Sequence, residues 1–422
     1  MNQPPLDRTS RTPDPIAGPG PITEPGGITL PGQIVEPGHV NEPEPFAEPE
    51  AIEVPDRPAF PRDASGRVSL LGHTAVEMRA TPGPLAELPP FRARQVAHWM
   101  YGRGETRFES MTDIAAPLRR ELARHYTVNP DPTVSLQRAD GNEAIKFLFR
   151  LGDGRRVEAV LINTGKRRTI CISSQVGCAY ACAFCATAAM GPGRNLSVRE
   201  IVSQVLAVRR QMRDDQMEGG HNIVFMGMGE PLANLNALVP SLRLLQADEG
   251  LAIGRRRITV STVGLPRQII ALADSDVRVR LAFSLHATTE ETRTRLMPIN
   301  AKHPFVEVFR ALHYFQRTQR MRVTLEYLLL EGVNDTVDDA RRLAGFAQKL
   351  RCKVNLIAFN PHPAAPFRPT GQERMATFVR AMDPIAPSVT LRYSKGREIL
   401  AACGQLSTTW LEQGPAGALA GN

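Results

Sequence analysis

Short apolar segments alternate with amphipathic helical segments between residues 168 and 360, and this alternation constrains the fold more than any other feature. Typical helical segments read "VREIVSQVLAVRRQM", "PFVEVFRALHYFQRT" and "TVDDARRLAGFAQKL", and Ser197 and Glu200 occupy capping-box positions at the start of the first. The strand candidates are "RTICIS", "NIVFMG", "RITVST", "RLAFSLH", "VTLEYLLL" and "VNLIAFN". Six such repeats predict an α/β fold in which a parallel sheet curls into a full or partial barrel of six β/α units.

Two smaller elements precede these repeats. The segment "AIKFLFRLGDGRRVEAVLI" alternates apolar and polar residues on both sides of Gly152-Asp153-Gly154, which predicts a β-hairpin. Further upstream, "LPPFRARQVAHWMYGRG" and "DIAAPLRRELARHY" have helical patterning, and Phe91, Val96, Trp99 and Met100 are expected on one apolar face. The basic surface of this small helical domain fits either RNA contact or a packing cap on the main domain.

The chain divides into four predicted parts. Residues 1–60 are rich in Pro, Gly and Glu without apolar periodicity, so we expect a disordered tail. A helical accessory domain follows over residues 61–135, and the hairpin and barrel occupy residues 136–406. Residues 407–422 form a second tail.

Charge is unevenly distributed along the chain, whose formal net charge is +8. The first 60 residues contain ten acidic and three basic residues, which leaves a net charge of +15 for the rest. A body with that excess, nearly all of it arginine, is expected to attract a polyanion such as RNA, although an arginine-rich proteome would produce the same bias. No secretory signal or membrane-length apolar run is present, and the six cysteines are crowded rather than spread as in a disulfide scaffold. We therefore expect a cytoplasmic protein that does not associate with membranes.

Four of the six cysteines lie in "CISSQVGCAYACAFCATAAMG", residues 171–191. Cys171 lies within the first predicted strand, and the other three follow that strand directly. Cys178, Cys182 and Cys185 follow a C-x3-C-x2-C spacing. A structural zinc site needs four ligands, whereas three thiolates on a [4Fe-4S] cluster leave one iron open. With an aromatic Phe184 before the last cysteine, the loop resembles that of radical S-adenosylmethionine (SAM) enzymes. A zinc loop completed by a distant ligand is the alternative.

Polar residues follow most of the other strands. Gly229 and Glu230 in "MGMGEP" resemble the element by which radical SAM enzymes hold the amino group of SAM. A carboxylate can pair with an ammonium, and glycine lets the backbone approach closely. The remaining predicted SAM-binding residues, besides Phe184, are Ser261, Ser284, Leu285, His286 and Asn360. Without the other motifs, His286 would be interpreted as a core histidine whose hydrogen bonds are satisfied within the protein.

The segments "PFRARQVAHWMY", "CISSQVGC", "GMGEPL", "GLAIGRRRITVST", "MPIN", "EYLLLEGVND", "LIAFNP" and "AACGQL" occur in order between about residues 88 and 406. Together they resemble the RlmN/Cfr family of radical SAM RNA methyltransferases. The resemblance implies a [4Fe-4S] cluster, two SAM molecules per turnover, an electron donor such as flavodoxin and a disulfide reductant. It also implies methylation of adenine in 23S rRNA and in tRNA.

The same resemblance assigns three catalytic residues. Cys403 in "AACGQL" matches the cysteine that accepts a methyl group and carries it to the adenine. Cys171 matches the thiol that then attacks the sulfur of Cys403 and leaves a transient disulfide. Glu158 in "RVEAV" matches the proton acceptor, although by itself it could be a solvent-facing strand residue. Cys352 matches no family role, and we expect a packed thiol.

The sequence leaves alternatives open for the adenine carbon that is methylated and for the class of protein. "GMGEPLAN" and "GLAIGRRRITVST" are closer to the branch that methylates C2 of adenine than to the Cfr-type branch, which methylates C8. A radical SAM enzyme with a small-molecule substrate is a second hypothesis, but it would need no methyl carrier. A third is a non-enzymatic iron–sulfur or zinc protein that binds RNA.

Overall fold

The computed structural model describes residues 60–165, 167–217, 219–383 and 385–408. Its main feature is a ten-stranded sheet in which spatial order follows chain order from β3 to β12. A separate parallel pair is formed by β1 (Val68–Ser69) and β2 (Tyr126–Thr127). The strands of the large sheet are β3 (Thr133–Arg138), β4 (Ala144–Arg150), β5 (Arg156–Thr164), β6 (Arg167–Cys171), β7 (His221–Phe225), β8 (Ile258–Thr262), β9 (Arg280–Ser284), β10 (Val323–Leu329), β11 (Lys353–Ala358) and β12 (Val389–Arg392).

Strands β6 to β12 are parallel, and each new strand is added beside the previous one. This arrangement confirms the predicted α/β fold and all six predicted strands. Strands β3 and β12 form the two edges of the sheet, so among the described strands the barrel is partial. The seventh parallel strand, β12, was not predicted because its four residues are all half-buried or exposed and have no apolar run.

The other end of the sheet is antiparallel. Strand β4 pairs along its whole length with residues 156–162 of β5, and the amide of Leu151 donates to the carbonyl of Arg155 across the turn. The predicted hairpin is therefore confirmed. Strand β3 extends it at the edge, and β5 pairs with β6, so the hairpin is continuous with the parallel sheet.

The three long helices predicted between strands are present, and apolar side chains on them pack into the core with the strands. The capping box also forms, since the Ser197 hydroxyl accepts from the Glu200 amide and Glu200 accepts from the Ser197 amide. The α-helices are α1 (Ala75–Met78), α2 (Pro84–Glu87), α3 (Pro90–Ala97), α4 (Ala116–His125), α5 (Ala186–Ala189), α6 (Val198–Asp214), α7 (Leu235–Gln246), α8 (Pro266–Asp274), α9 (Glu290–Leu296), α10 (Phe305–Gln319), α11 (Val337–Lys349) and α12 (Gln372–Met382).

One expectation about the N-terminal helices α1 to α4 is wrong, and it concerns the position of Phe91. Val96, Trp99 and Met100 are buried, whereas Phe91 is 43% exposed and lies against the guanidinium of Arg92. Residues 91 and 96 are five positions apart, which places them on different sides of a helix with 3.6 residues per turn. Phe91 is therefore not part of the apolar face.

The predicted N-terminal tail, apart from Phe60, lies outside the described residues, and so does the C-terminal tail beyond residue 408. None of the described helices is both long and apolar enough to cross a membrane.

Candidate active site

A cavity opens at the carboxyl ends of the parallel strands, with about 1040 Å³ of space free of protein atoms including its mouth. The residues that line it come mainly from the loop after β6, from the ends of β7 to β11 and from residues 403–406. The predicted site residues among them are Cys178, Cys182, Phe184, Cys185, Gly229, Glu230, Ser261, Ser284, His286 and Cys403.

The cysteine loop, residues 172–191, is held by backbone hydrogen bonds at both ends and in its middle. The Cys178 amide donates to the Gly191 carbonyl at 2.9 Å, and the Ala183 amide donates to Leu296 at 2.9 Å. At Gly177 the backbone has φ +68°, and a Cβ would lie 2.4 Å from the Gly191 oxygen. Only glycine fits at this crossing, so the sequence itself fixes the shape of the loop.

The three loop thiols are largely shielded from water. Burial raises the pKa of Cys178 to about 11, and burial also raises the pKa values of Cys182 and Cys185. In the described part of the chain, no three His, Cys, Asp or Glu side chains are already arranged around a single metal ion. A cluster whose irons each take one thiolate needs more widely spaced thiols than one ion does, so the donor set and the cavity are compatible with a cluster. Binding would deprotonate the thiols.

Glu230 is a buried carboxylate without a cationic partner among the described residues. Its Oε2 accepts from the Val263 amide at 2.8 Å and its Oε1 from the Leu232 amide at 3.1 Å. Burial nevertheless raises the pKa of Glu230 to about 7. Gly229, at φ +93°, lets the chain pass Gln175, whose Cβ would be 2.4 Å from an added Cβ. A ligand ammonium would supply the positive charge that this carboxylate lacks, which fits the amino group of SAM.

The rim next to Glu230 is formed by Ser261, Ser284 and His286. The Ser261 hydroxyl donates to the Phe225 carbonyl at 2.6 Å. His286 has φ +54°, and its Nδ1 accepts from the Leu328 amide, so it is held as a core histidine would be while it also lines the cavity. Burial lowers the pKa of His286 to about 3, which keeps the ring neutral. Its ring meets that of Phe184 edge-on at 4.9 Å.

Leu285 is fully buried and does not line the cavity. Its carbonyl accepts from Arg293, which also donates to the carbonyls of Val263 and Ser284. Arg293 is itself completely buried and therefore fixes the backbone of two strand ends beneath the rim. Sequence reasoning missed this residue because an arginine in a short helix has the pattern of a surface residue.

Cys403 belongs to a C-terminal segment, residues 393–408, that crosses from β12 to the antiparallel hairpin. The Lys395 ammonium pairs with Glu143 at 2.6 Å just before β4. The Cys403 carbonyl accepts from Asn360 at 3.2 Å, so Asn360 contacts this segment and does not line the cavity. The segment also contacts the cysteine loop, since the Ala186 amide donates to the Gly404 carbonyl.

A second cavity, with about 1120 Å³ of space free of protein atoms including its mouth, lies on the other side of Cys403. Cys171 lines this second cavity and not the first, whereas Cys403 lines both. Burial is the main cause of the raised pKa of Cys171, and the nearby Cys403 thiol raises this pKa further. The side chain of Cys403 is exposed to the cavities but is otherwise surrounded by protein. The surrounding protein removes it from bulk water and so raises the pKa of Cys403 as well.

Glu158 is completely buried, so it is not the solvent-facing strand residue that its pattern alone would allow. Its Oε1 lies 3.4 Å from the ammonium of Lys146, and its Oε2 accepts from the Ser407 amide at 3.0 Å. It lines neither cavity, and it is connected to the C-terminal segment four residues after Cys403. Burial lowers the pKa of Lys146, and the Glu158 carboxylate opposes that shift.

Comparison with known proteins agrees with this geometry. Residues 172–344 match the radical SAM superfamily, and residues 68–128 match the ribosomal RNA large subunit methyltransferase N-terminal domain. The chain is similar to the crystal structure of a radical SAM methyltransferase from Sphaerobacter thermophilus, with a TM-score of 0.75, 42% identity and coverage of 80% of this chain and 98% of that one. The fold and the cavity thus define a radical SAM enzyme.

Relatives of known name narrow this class. The chain is 48% identical to the dual-specificity RNA methyltransferase RlmN of Geobacter sulfurreducens, over 75% of this chain and 86% of that protein. It is 40% identical to the corresponding enzyme of Gluconobacter oxydans, over 82% of this chain and 87% of that protein. The chain belongs to the RlmN family of radical SAM RNA methyltransferases. Membership implies a [4Fe-4S] cluster, SAM and an RNA substrate, and the expected alternative of a non-enzymatic RNA-binding protein is excluded.

Proposed function

We propose that this enzyme methylates C2 of adenine in 23S rRNA and in tRNA by way of a methyl group carried on Cys403. The observation that supports this most is the position of Cys403 between two cavities. One cavity has the cysteine loop and Glu230 in its wall, and the other has Cys171. A methyl carrier needs contact with SAM and with a resolving thiol, and the two cavities that Cys403 lines would supply one partner each.

Cys178, Cys182 and Cys185 would hold the [4Fe-4S] cluster. The cluster and SAM, when bound, supply a 5′-deoxyadenosyl radical after one-electron reduction. Glu230 would pair with the amino group of SAM, and the remaining contacts would come from Phe184, Gly229, Ser261, Ser284, Leu285, His286 and Asn360. Asn360 lies outside the cavity wall and Leu285 lies behind it, so any contribution of these two would come through the backbone or through Cys403.

Methyl transfer then uses Cys403 twice. The Cys403 thiolate first accepts a methyl group from one SAM by displacement, which forms a thioether. A hydrogen atom of that methyl group is then lost to the radical derived from a second SAM. The remaining methylene radical adds to the adenine carbon, so the RNA becomes covalently attached to Cys403.

Release requires a base and a second thiol. The adduct carries one unpaired electron, which would pass back to the oxidised electron donor, and Glu158 would accept the ring proton. The hydrogen bond from the Ser407 amide to Glu158 connects this carboxylate to the segment that carries Cys403. The Cys171 thiolate attacks the Cys403 sulfur, the bond from that sulfur to the methylene carbon breaks, and a disulfide forms. The carbon takes up a proton and leaves as a methyl group. A disulfide reductant must restore both thiols, and an electron donor such as flavodoxin must supply the reducing electron.

The test is an anaerobic assay with reconstituted enzyme, SAM, a reductant and large-subunit rRNA or tRNA. The RNA is digested and its nucleosides are compared with authentic standards by mass spectrometry. We expect 2-methyladenosine. Appearance of 8-methyladenosine would move the enzyme to the Cfr-type reaction. If neither product forms while 5′-deoxyadenosine is released, the proposed RNA substrates are wrong.

A further inference from the structure

The second cavity is lined mostly by different residues from the first cavity, which would hold the cluster and SAM. Four residues are shared with the first cavity, so the two spaces meet around the methyl carrier; these are Met226, Ile357, Cys403 and Leu406. The rest of its wall comes from the ends of β5 and β6, from β12 and from the C-terminal segment. A molecule in this space would lie beside Cys403 in a cavity whose described wall contains none of the three loop cysteines.

The wall of the second cavity is positively charged. Arg167, Arg392 and Lys395 line it, and none of the described lining residues is an Asp or Glu. Lys395 is already paired with Glu143. Arg167 is exposed, and its side chain has no hydrogen-bond or ion-pair partner among the described residues. A free guanidinium at the mouth of a cavity attracts an anion, and its fork geometry suits a phosphate.

The remaining wall suits a nucleotide. Thr164, Thr169, Thr390 and Ser394 supply hydroxyl groups that can donate to or accept from ribose and phosphate oxygens. Tyr393 is 56% exposed and offers an aromatic face on which a base can stack. Cys171 lies in the same wall, on the side from which an RNA adduct of Cys403 would have to be released.

We infer that the second cavity receives the target nucleotide of the RNA, with the exposed guanidinium groups of Arg167 and Arg392 in its wall binding the phosphate backbone. This inference rests on the proposed function and names the route by which its substrate arrives. SAM and RNA therefore approach the methyl carrier from different cavities. The nucleotide is expected to enter unstacked from its neighbours, because an enzyme that acts on a base inside a cavity must first take that base out of the stack.

The first experiment removes the positive charge of Arg167 from the wall of the second cavity. Arg167→Gln is compared with Arg278→Gln, a matched change at an exposed arginine that lines neither cavity. Binding of a transcribed rRNA fragment is measured over a series of salt concentrations. We expect roughly three- to tenfold weaker binding for Arg167→Gln and a salt slope smaller by about one, as for the loss of one phosphate contact. Arg278→Gln should bind like the unaltered enzyme.

The second experiment fills the cavity. Thr390 lies on the edge strand β12 and is exposed, so Thr390→Trp can enter the space without disturbing the core, and Thr390→Val changes the chemistry at constant shape. We expect Thr390→Trp to lose at least about 90% of RNA methylation, while methylation of Cys403 by SAM continues. Thr390→Val removes one hydroxyl contact at constant shape, so RNA should bind roughly two- to tenfold more weakly while methylation of Cys403 by SAM is unchanged.

The outcomes separate this inference from the proposed function. If RNA binding and methylation are unchanged in both Arg167→Gln and Thr390→Trp, the nucleotide does not use this cavity, and the inference is overturned while the reaction stands. If Thr390→Trp also stops methylation of Cys403, the cavity is not separate from the SAM site, which overturns it too. If the unaltered enzyme methylates no RNA although Cys403 becomes methylated, the proposed function itself fails.

Discussion

Two cysteine-bearing segments line the first cavity and contact each other, and they are held in different ways. The cysteine loop is fixed by backbone bonds and by Gly177, whose position no other residue could adopt without a clash. The C-terminal segment is held mostly by single side-chain contacts from distant parts of the chain, through Asn360, Thr187 and Glu158. A cluster needs ligands that stay in place, whereas a methyl carrier must serve two partners in turn.

The largest expected effect comes from removing the carrier. Cys403→Ala should abolish RNA methylation, with a loss of at least about 1,000-fold because no other group holds the methyl. The cysteine loop is unchanged, so 5′-deoxyadenosine should still form and the iron content should be normal. The control is Cys352→Ala, which removes a buried thiol outside both cavities. Methylation that survived Cys403→Ala would contradict the role of the carrier.

Removing the second thiol should give a different defect. In Cys171→Ala the carrier can be loaded and can react with RNA, but no thiol is present to break the bond. We expect a covalent enzyme–RNA adduct, seen as a shifted band under denaturing conditions and removed by nuclease. Multiple turnover should stop. If no adduct accumulates in this variant, release does not depend on Cys171.

A smaller effect is expected from a change at Glu230, which lines the first cavity together with the loop cysteines. Glu230→Gln keeps the shape of the carboxylate and removes its charge, so SAM should bind roughly 10- to 100-fold more weakly, as for loss of a charged hydrogen bond of about 1.5–3 kcal/mol. Equilibrium binding of SAM to the reconstituted enzyme measures this. Glu331→Gln, a change at an exposed carboxylate paired with Arg368, should leave SAM affinity unchanged. Equal affinity in both variants would exclude pairing of Glu230 with SAM.

The smallest effect tests how the carrier segment is held. The Thr187 hydroxyl donates to the Leu406 carbonyl at 2.6 Å, and Thr187→Val removes that bond without a large change of shape. The free energy of local opening should fall by about 1 kcal/mol. Hydrogen exchange should show faster exchange at residues 400–408, with protection of β7 to β10 unchanged. Faster exchange over the whole sheet would mean that the segment is not an independent unit.

The sequence predicted the elements that depend on local pattern. The six parallel strands, the hairpin and the long helices follow from apolar periodicity and turn residues, and all of them are present. Family membership also follows from the motifs. Strands β3 and β12 were missed because edge strands bury little on either face and so carry a weak pattern.

Contacts between distant parts of the chain could not be predicted in the same way. No local signal places Arg293 beneath the rim or pairs Lys146 with Glu158, because each contact depends on how elements pack. The second cavity is a similar case, since its wall combines residues 162–171 with residues 390–406. The assignment of individual residues to the cluster, to SAM and to catalysis remains a prediction.

The position of Cys403 near the end of the chain also determines the order of assembly during synthesis. A chain leaves the ribosome N-terminus first, so the cysteine loop and all twelve strands are made before residue 403 emerges. The C-terminal segment therefore closes over a cavity whose walls are already built. An iron–sulfur donor that acts on the nascent chain meets a wide opening, and one that acts on the finished chain meets a narrower one. Emergence of the C-terminal segment from the ribosome is then the event that brings the methyl carrier to its site.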